Sequence, residues 1–261
     1  MDRQESETGL AELLFNLANS DRLKLLSEVA SGGQRMSTLT KAIGASFPEC
    51  SRHLARLSGA GLVRKGPGGN YELTEAGKLV MKLLPGIEFV LEHQGFFTSH
   101  DLSFLPDGFT ERIGALATGE YVGHISLVLD HIKTVVSEAR DHVWLISDRL
   151  FPQWPGIGSW WSSDEILVRV VSAQTVDPRV VSEYRSKLAR CEIGTLKDVS
   201  VAMAINESVA GVVFPTLEGV IDFGAGFAGK DPVFRAWCND LFEYYWSKAK
   251  RFHAPSPFSK S

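Results

Sequence analysis

The chain is poor in the residues that would anchor many kinds of site. It has three cysteines in 261 residues, Cys50, Cys191 and Cys238. They lie far apart and form no Cys-x-x-Cys pair, which speaks against a zinc ribbon or a disulfide framework and fits a reducing, cytoplasmic setting. No apolar run approaches the ~20 residues that a membrane-spanning helix needs. The opening MDRQESETG is polar and acidic, without the positive start and apolar centre of a secretory signal. No Gly-x-Ser-x-Gly elbow and no P-loop occurs. No resident metal or cofactor is expected.

What is present is a charge balance that changes along the chain. The net charge is −4 overall. Between Gln34 and Lys65, however, Arg35, Lys41, Arg52, Arg56, Arg64 and Lys65 face one acid, Glu49. Residues 1 to 33 lean the other way, with six acids against Arg3, Arg22 and Lys24. A basic face on an acidic protein can still neutralise phosphates.

That basic stretch sits in a pattern of short elements. Leu10, Leu13, Leu14, Leu17 and Ala18 have the spacing of one helix face. Ser20 can cap a second helix whose buried face is Leu23, Leu25, Leu26, Val29 and Ala30. A third short helix starts near Ser37 and stops at Gly44. Ser46-Phe47-Pro48-Glu49 reads as a capping box opening a fourth helix. Its spacing puts Phe47, Cys50, Leu54 and Leu57 on an inner face and Glu49, Arg52, His53 and Arg56 on an outer one, with Ser51 beside them. An apolar back and an Arg-rich front suit the DNA major groove, where Arg pairs bidentately with guanine. Leu62–Lys65 and Asn70–Leu73 then flank Gly66-Pro67-Gly68-Gly69 as a hairpin, and Thr74 caps the next helix.

SRHLARLSGAGLVRK, the Gly-rich turn and YELTEAG together resemble the winged-helix region of ArsR-like regulators, over roughly residues 8 to 82. The resemblance implies a winged helix that binds double-stranded DNA, with Ser51, Arg52, His53, Arg56, Arg64, Lys65 and Asn70 as contacts. The Cys-x-Cys pair of metal-sensing relatives has no counterpart, for Thr38-Leu39-Thr40-Lys41 stands there and Cys50 falls on the inner face.

The helix after the hairpin carries Leu79, Leu83, Ile87 and Leu91 at helical spacing, with Pro85-Gly86 expected to kink or break it. This stripe either packs on its own chain or forms the seam of a homodimer. GFFTSHDLSFLP, with Phe109 and Arg112-Ile113, resembles the middle of a family of archaeal winged-helix regulators related to a methanogenesis regulatory protein. That resemblance implies a downstream sensor domain. The expected domains are 1–82 for DNA binding, 83–115 as a helical linker and dimerisation region, and 116–261 as the sensor.

The sensor domain reads as an α/β layered sheet, so the fold class is an α+β winged helix-turn-helix domain followed by an α/β domain. Strands are expected at 142–147, 165–171, 199–205, 209–214 and 219–223, with helices at 126–139, at 177–189 and from Asp231. The arrangement resembles the phospholipase-D-like sensor domain of sugar-responsive TrmB-like regulators. His131-x-Lys133, with Glu138 nearby, echoes a phospholipase motif but lies within a helical pattern, and reads as a solvated face. Gly224–Gly229 reads as a loop between strand and helix, since Asp231 would repel a phosphate there. No catalytic residue is assigned and an enzyme is not expected.

One stretch is aromatic and rich in proline and glycine, Phe151 to Trp161, after a strand ending in Ser147. Ligands gather beyond such strand ends in α/β sheets. Asp148, Arg149, Trp160 and Trp161 are therefore candidates for a small-molecule effector site, against the alternative that the aromatics cap the sheet or a dimer contact. The function expected is a homodimeric, ligand-responsive transcription regulator. The alternative is a winged-helix protein whose second domain serves only assembly or protein contact.

Overall fold

The computed structural model describes residues 3–148, 165–173 and 190–251. The chain divides into two compact units, residues 1–87 and 88–261.

The first unit contains α1 (Arg3–Leu17), α2 (Ser20–Ala30), α3 (Met36–Ile43), α4 (Phe47–Gly59), β1 (Val63–Lys65), β2 (Tyr71–Leu73) and most of α5 (Glu75–Glu92). Asn19, not Ser20, caps α2: its extended backbone lets the side-chain oxygen accept the Arg22 N–H at 3.0 Å. Gly44 ends α3 in the left-handed conformation, φ 67°, which costs a glycine least. At the start of α4 the Glu49 carboxylate accepts both the Ser46 N–H, at 3.0 Å, and its hydroxyl, at 2.7 Å. Leu25, Leu26, Leu39, Cys50, Leu54 and Leu57 close the core of the unit. Phe47 does not join them: it is the first residue of α4 and is 58% exposed. Leu10 and Leu14, read on the same helix face as Leu13 and Leu17, are exposed too, while Leu13 and Leu17 pack α1 against this core.

β1 and β2 pair antiparallel, Val63 with Leu73, Arg64 with Glu72 and Lys65 with Tyr71. The turn between them closes through the Gly69 N–H, which donates to the Gly66 carbonyl at 3.0 Å. Gln34 extends the hairpin on its other side by a bridge to Tyr71. α5 runs unbroken through Pro85. One missing donor does not end a helix whose turns on either side are intact, so the expected break is absent.

In the second unit come α6 (Gln94–Phe97), α7 (Asp107–Thr110), a 3-10 turn (Ile113–Thr118), β3 (Glu120–Val122), α8 (Ile125–Ser137), β4 (His142–Ser147), β5 (Leu167–Ala173), β6 (Cys191–Leu196), β7 (Ala202–Ile205), β8 (Ala210–Val213), β9 (Gly226–Gly229), α9 (Pro232–Lys248) and β10 (Lys250–Arg251). Among the described residues, eight strands form one mixed sheet in the order β10-β6-β5-β4-β7-β8-β9-β3. β4, β5 and β6 are parallel and every other pairing is antiparallel.

Alternation along the strands separates two cores. Val143, Leu145, Val168, Val170 and Ala204 pack with Val135 and Val136 of α8. Ile146, Val171, Met203, Ile205, Val212 and Phe227 pack with Phe234, Trp237, Leu241 and Phe242 of α9. The segment read as a linker supplies Phe89, Phe96, Leu105 and Phe109 to this second core.

The strand expected at 219–223 reduces to a bridge between Pro215 and Ile221. The strand that follows β8 is instead β9, inside the glycine run expected as a loop. Its glycine allows close pairing: a Cβ at Gly226 would come within 2.6 Å of the Val213 side chain. β9 pairs with β8 and β3, so its backbone is committed to the sheet and does not cradle an anion.

Candidate nucleic-acid interface

α4 is fixed from behind by Cys50, Leu54 and Leu57, all essentially buried. Burial raises the Cys50 thiol above its ordinary pKa, consistent with an inert packing residue. The opposite face of α4 presents Ser51, Arg52 and Arg56 to solvent. His53 departs from this set. It is half-buried, and its Nε2 lies 3.8 Å from the Asp21 carboxylate of α2. The Glu49 carboxyl is held below its usual range by the Ser46 hydroxyl and N–H, and further by Arg52 and His53.

Behind Arg56 sits a residue that sequence reading counted only as a charge. Arg22 is 6% exposed. Its guanidinium donates to the carbonyls of Asn16 and of Phe15, the latter at 2.9 Å. These belong to the last turn of α1, whose carbonyls lack helical partners and carry the negative end of the helix dipole. Arg22 thereby ties α1 to α2. Burial, and then the charge of Arg56, lower its pKa, and an arginine still stays charged. Nothing in the local sequence marks it, because the carbonyls it serves precede it by six and seven residues.

The hairpin carries Arg64 and Lys65, both exposed. Arg64 lies 3.6 Å from Glu72, its cross-strand partner. Asn70 points less outward than expected: it is half-buried and its side-chain oxygen is buried without a hydrogen-bond partner. Arg35, before α3, and Lys41, in its last turn, are also exposed.

A second surface runs along α5. Leu79, Leu83, Ile87 and Leu91 are 62%, 66%, 53% and 66% exposed. On α1, Leu10, Leu14 and Phe15 are similarly open to solvent. Contiguous exposed apolar residues of this size mark an interaction surface more often than a bare one.

Of the candidate effector residues, Asp148 follows β4 and accepts a long hydrogen bond, 3.4 Å, from the Ser147 hydroxyl. Arg149, Trp160 and Trp161 lie outside the described residues, as do the rest of Phe151–Trp161 and the expected helix 177–189. His131 is not on a solvated face. It is half-buried, and its Nε2 meets the Ala210 carbonyl at 3.1 Å. Lys133 and Glu138 are exposed, as expected. Among the described residues no group of three or more His, Cys, Asp or Glu is placed to hold a metal ion. Nor is any helix among them long and apolar enough to cross a membrane.

Residues 19–65 match the family model described as bacterial regulatory protein, arsR family. The first unit is a winged helix-turn-helix similar to that of the arsR regulators. Over 211 residues the chain is 25% identical to a methanogenesis regulatory protein, FilR1, of Methanothrix harundinacea (strain 6Ac). The match covers 72% of this chain and 46% of that protein, so the chain spans about half the length of the curated relative it matches. Among solved structures, the archaeal chromatin protein TrmBL2 aligns over 90% of this chain and 94% of its own, with 14% identity and a TM-score of 0.41. The homodimeric winged helix-turn-helix fragment of Mb0332 from Mycobacterium bovis aligns over 36% of this chain and 88% of its own, with 28% identity and a TM-score of 0.31.

Proposed function

We propose that this chain is a transcription regulator that binds double-stranded DNA as a homodimer and adjusts its affinity to a small molecule held by the second unit. The observation that carries the DNA-binding part is α4: Arg52 and Arg56 stand free on its front, while Cys50, Leu54 and Leu57 lock its back. This helix lies within the residues that match the arsR family model. Arg52 and Arg56, with Ser51, read base edges in the major groove. Arg64 and Lys65 on the wing neutralise phosphates. Asn70 shapes the turn beneath them, and His53 steadies α4 against α2 through Asp21.

Two-fold pairing follows from the economy of reading. One helix covers a few base pairs, and two related by symmetry read half-sites about one DNA turn apart, ~34–36 Å. The stripe Leu79, Leu83, Ile87 and Leu91 supplies the seam, assisted by Leu10, Leu14 and Phe15 of α1. The second unit acts by binding and not by chemistry, a reading supported by the regulatory description of the curated relative. Asp148, with Arg149, Trp160 and Trp161, remains a proposed contact for the effector.

The test is binding to a panel of operator variants. Arg52→Ala should weaken binding to the preferred site by ~1–3 kcal/mol and relax the preference at one base position. Unchanged affinity and unchanged preference would remove Arg52 from base readout.

A further inference from the structure

The two faces of the large sheet are packed unequally. On the α9 face, Trp237, Phe227, Phe234 and Phe242 fill the space down to full burial. On the α8 face the strands offer small residues, Ala202 and Ala204 on β7, Gly211 on β8, Gly226 and Ala228 on β9. α8 meets them with Val128, His131 and Ile132, and a cavity of about 40 Å³, partly open to solvent, remains between them. A cavity needs ~10–15 Å³ to hold one water, so this space has room for about three. Among the described residues that line it, the side chains are apolar save His131 on α8 and Ser147 at the end of β4.

The two polar groups have defined chemistry. The His131 Nε2 faces a backbone carbonyl at 3.1 Å. A carbonyl only accepts, so Nε2 carries the proton, and Nδ1 of the neutral ring is an acceptor. Burial keeps the ring neutral by lowering its pKa. Gly211 is what admits the ring: a Cβ there would stand 2.7 Å from the imidazole. Ser147 is 2% exposed and its hydroxyl both donates and accepts. An apolar space with an acceptor at one place and a hydroxyl at another matches one class of molecule. Water gains little against hydrocarbon walls, and a charged ligand would lose its hydration without a counter-charge.

We propose that this cavity binds a small uncharged amphiphile, an apolar body bearing one hydroxyl or thiol that donates to His131. The site lies under α8 and is argued from described residues alone. It rests on the reading of the second unit as a sensor and gives that unit a pocket and a ligand class.

The probe is 1-butanol, added to the full-length protein carrying ¹³C-labelled methyl groups. Methyl resonances of Val128, Ile132 and Val213 should shift along saturating curves, while those of the exposed Leu217 and Val220 stay near their starting positions. Methyl propyl ether, similar in shape but without a donor, should bind about tenfold more weakly. Ala204→Val, which fills the cavity from the sheet side, should remove the saturating shifts. Should that variant fail to fold, His131→Phe, which removes the acceptor from the helix side, should weaken the alcohol to the level of the ether. Linear, non-saturating shifts, or shifts shared equally with Leu217 and Val220, would overturn the site. Ether and alcohol binding alike would overturn the assignment to His131. The DNA-binding reading fails independently: Arg52→Ala leaves these methyl shifts untouched, and a filled cavity leaves base preference untouched.

Discussion

Leu83 offers a sharp test of the dimer. It is 66% exposed in the protomer. Complete burial of a leucine side chain is worth ~1.5–3 kcal/mol, so covering the exposed two-thirds contributes ~1–2 kcal/mol per copy. Symmetry places the residue in the seam twice, giving ~2–4 kcal/mol per dimer. Leu83→Glu removes this contribution and adds the cost of burying a carboxylate, so those figures are a lower bound. Glutamate forms helix nearly as well as leucine, and the site is already open to solvent, so the protomer should stay folded. Sedimentation velocity across a concentration series should show the dimer weakened by at least roughly 30-fold, since each 1.4 kcal/mol is a factor of ten. Circular dichroism checks that the helices persist. A folded variant with an unchanged dissociation constant would place the seam elsewhere, and a parent chain that is monomeric at micromolar concentration would refute dimerisation through α5 altogether.

Three further outcomes follow from particular contacts. Replacing Arg64 and Lys65 together by Ala should lower affinity for all sequences alike and flatten the plot of log affinity against log salt by ~0.9 per lost phosphate contact; a slope equal to that of the parent would exclude both from the phosphate interface. Arg22→Met should cost ~2–4 kcal/mol in thermal or denaturant unfolding, because two charge-assisted bonds to the end of α1 disappear; a loss under ~0.5 kcal/mol, the range of ordinary surface changes, would show that α1 is held by other means. His131 should make stability depend on acid. Burial first, and the charge of Lys230, lower its pKa below the ordinary 6.5, against the opposing Ala210 carbonyl and Glu120. The unfolded chain therefore takes up this proton more readily than the folded one. Its contribution is complete above pH 6.5 and declines as pH falls below that value, at no more than ~1.4 kcal/mol per pH unit, levelling off below the folded pKa. Chemical denaturation of the parent and of His131→Gln between neutral and acid pH should differ in slope, and parallel curves would contradict the burial argument.

The first unit was legible because its signals are local. Ser46 and Glu49 are three residues apart, Gly44 supplies its own left-handed turn, and the hairpin announces itself through Gly66–Gly69. Periodicity nevertheless misplaced Leu10, Leu14 and Phe47, since it reports that a face is apolar without saying what covers it. The second unit was harder. β6 carries Glu192 and Gly194 among its six residues and does not look like a buried strand, yet Gly194 is required by the approach of Ala249, whose Cβ would meet an added Cβ at 2.7 Å. β3 is three residues long and exists through pairing with β9. The glycines of β9 signalled close approach of chains, which sequence alone does not distinguish from a loop. For the candidate site, the helical spacing identified Arg52 and Arg56, whereas the turn of His53 toward Asp21 and the entry of His131 beneath α8 depend on residues distant in sequence.

The mixed sheet has a kinetic consequence. β7, β8 and β9 follow one another between Ala202 and Gly229 and pair with their immediate successors. Such a meander closes short loops, at a small entropic cost, and can form early. β3 must wait, for Glu120 pairs with Ala228 across most of the unit. Until it arrives β9 presents an unpaired ladder of backbone donors and acceptors, available to any other extended chain. Slow refolding at high protein concentration should therefore yield association through β9, and dilution, or conditions that speed the return of β3, should favour the native sheet.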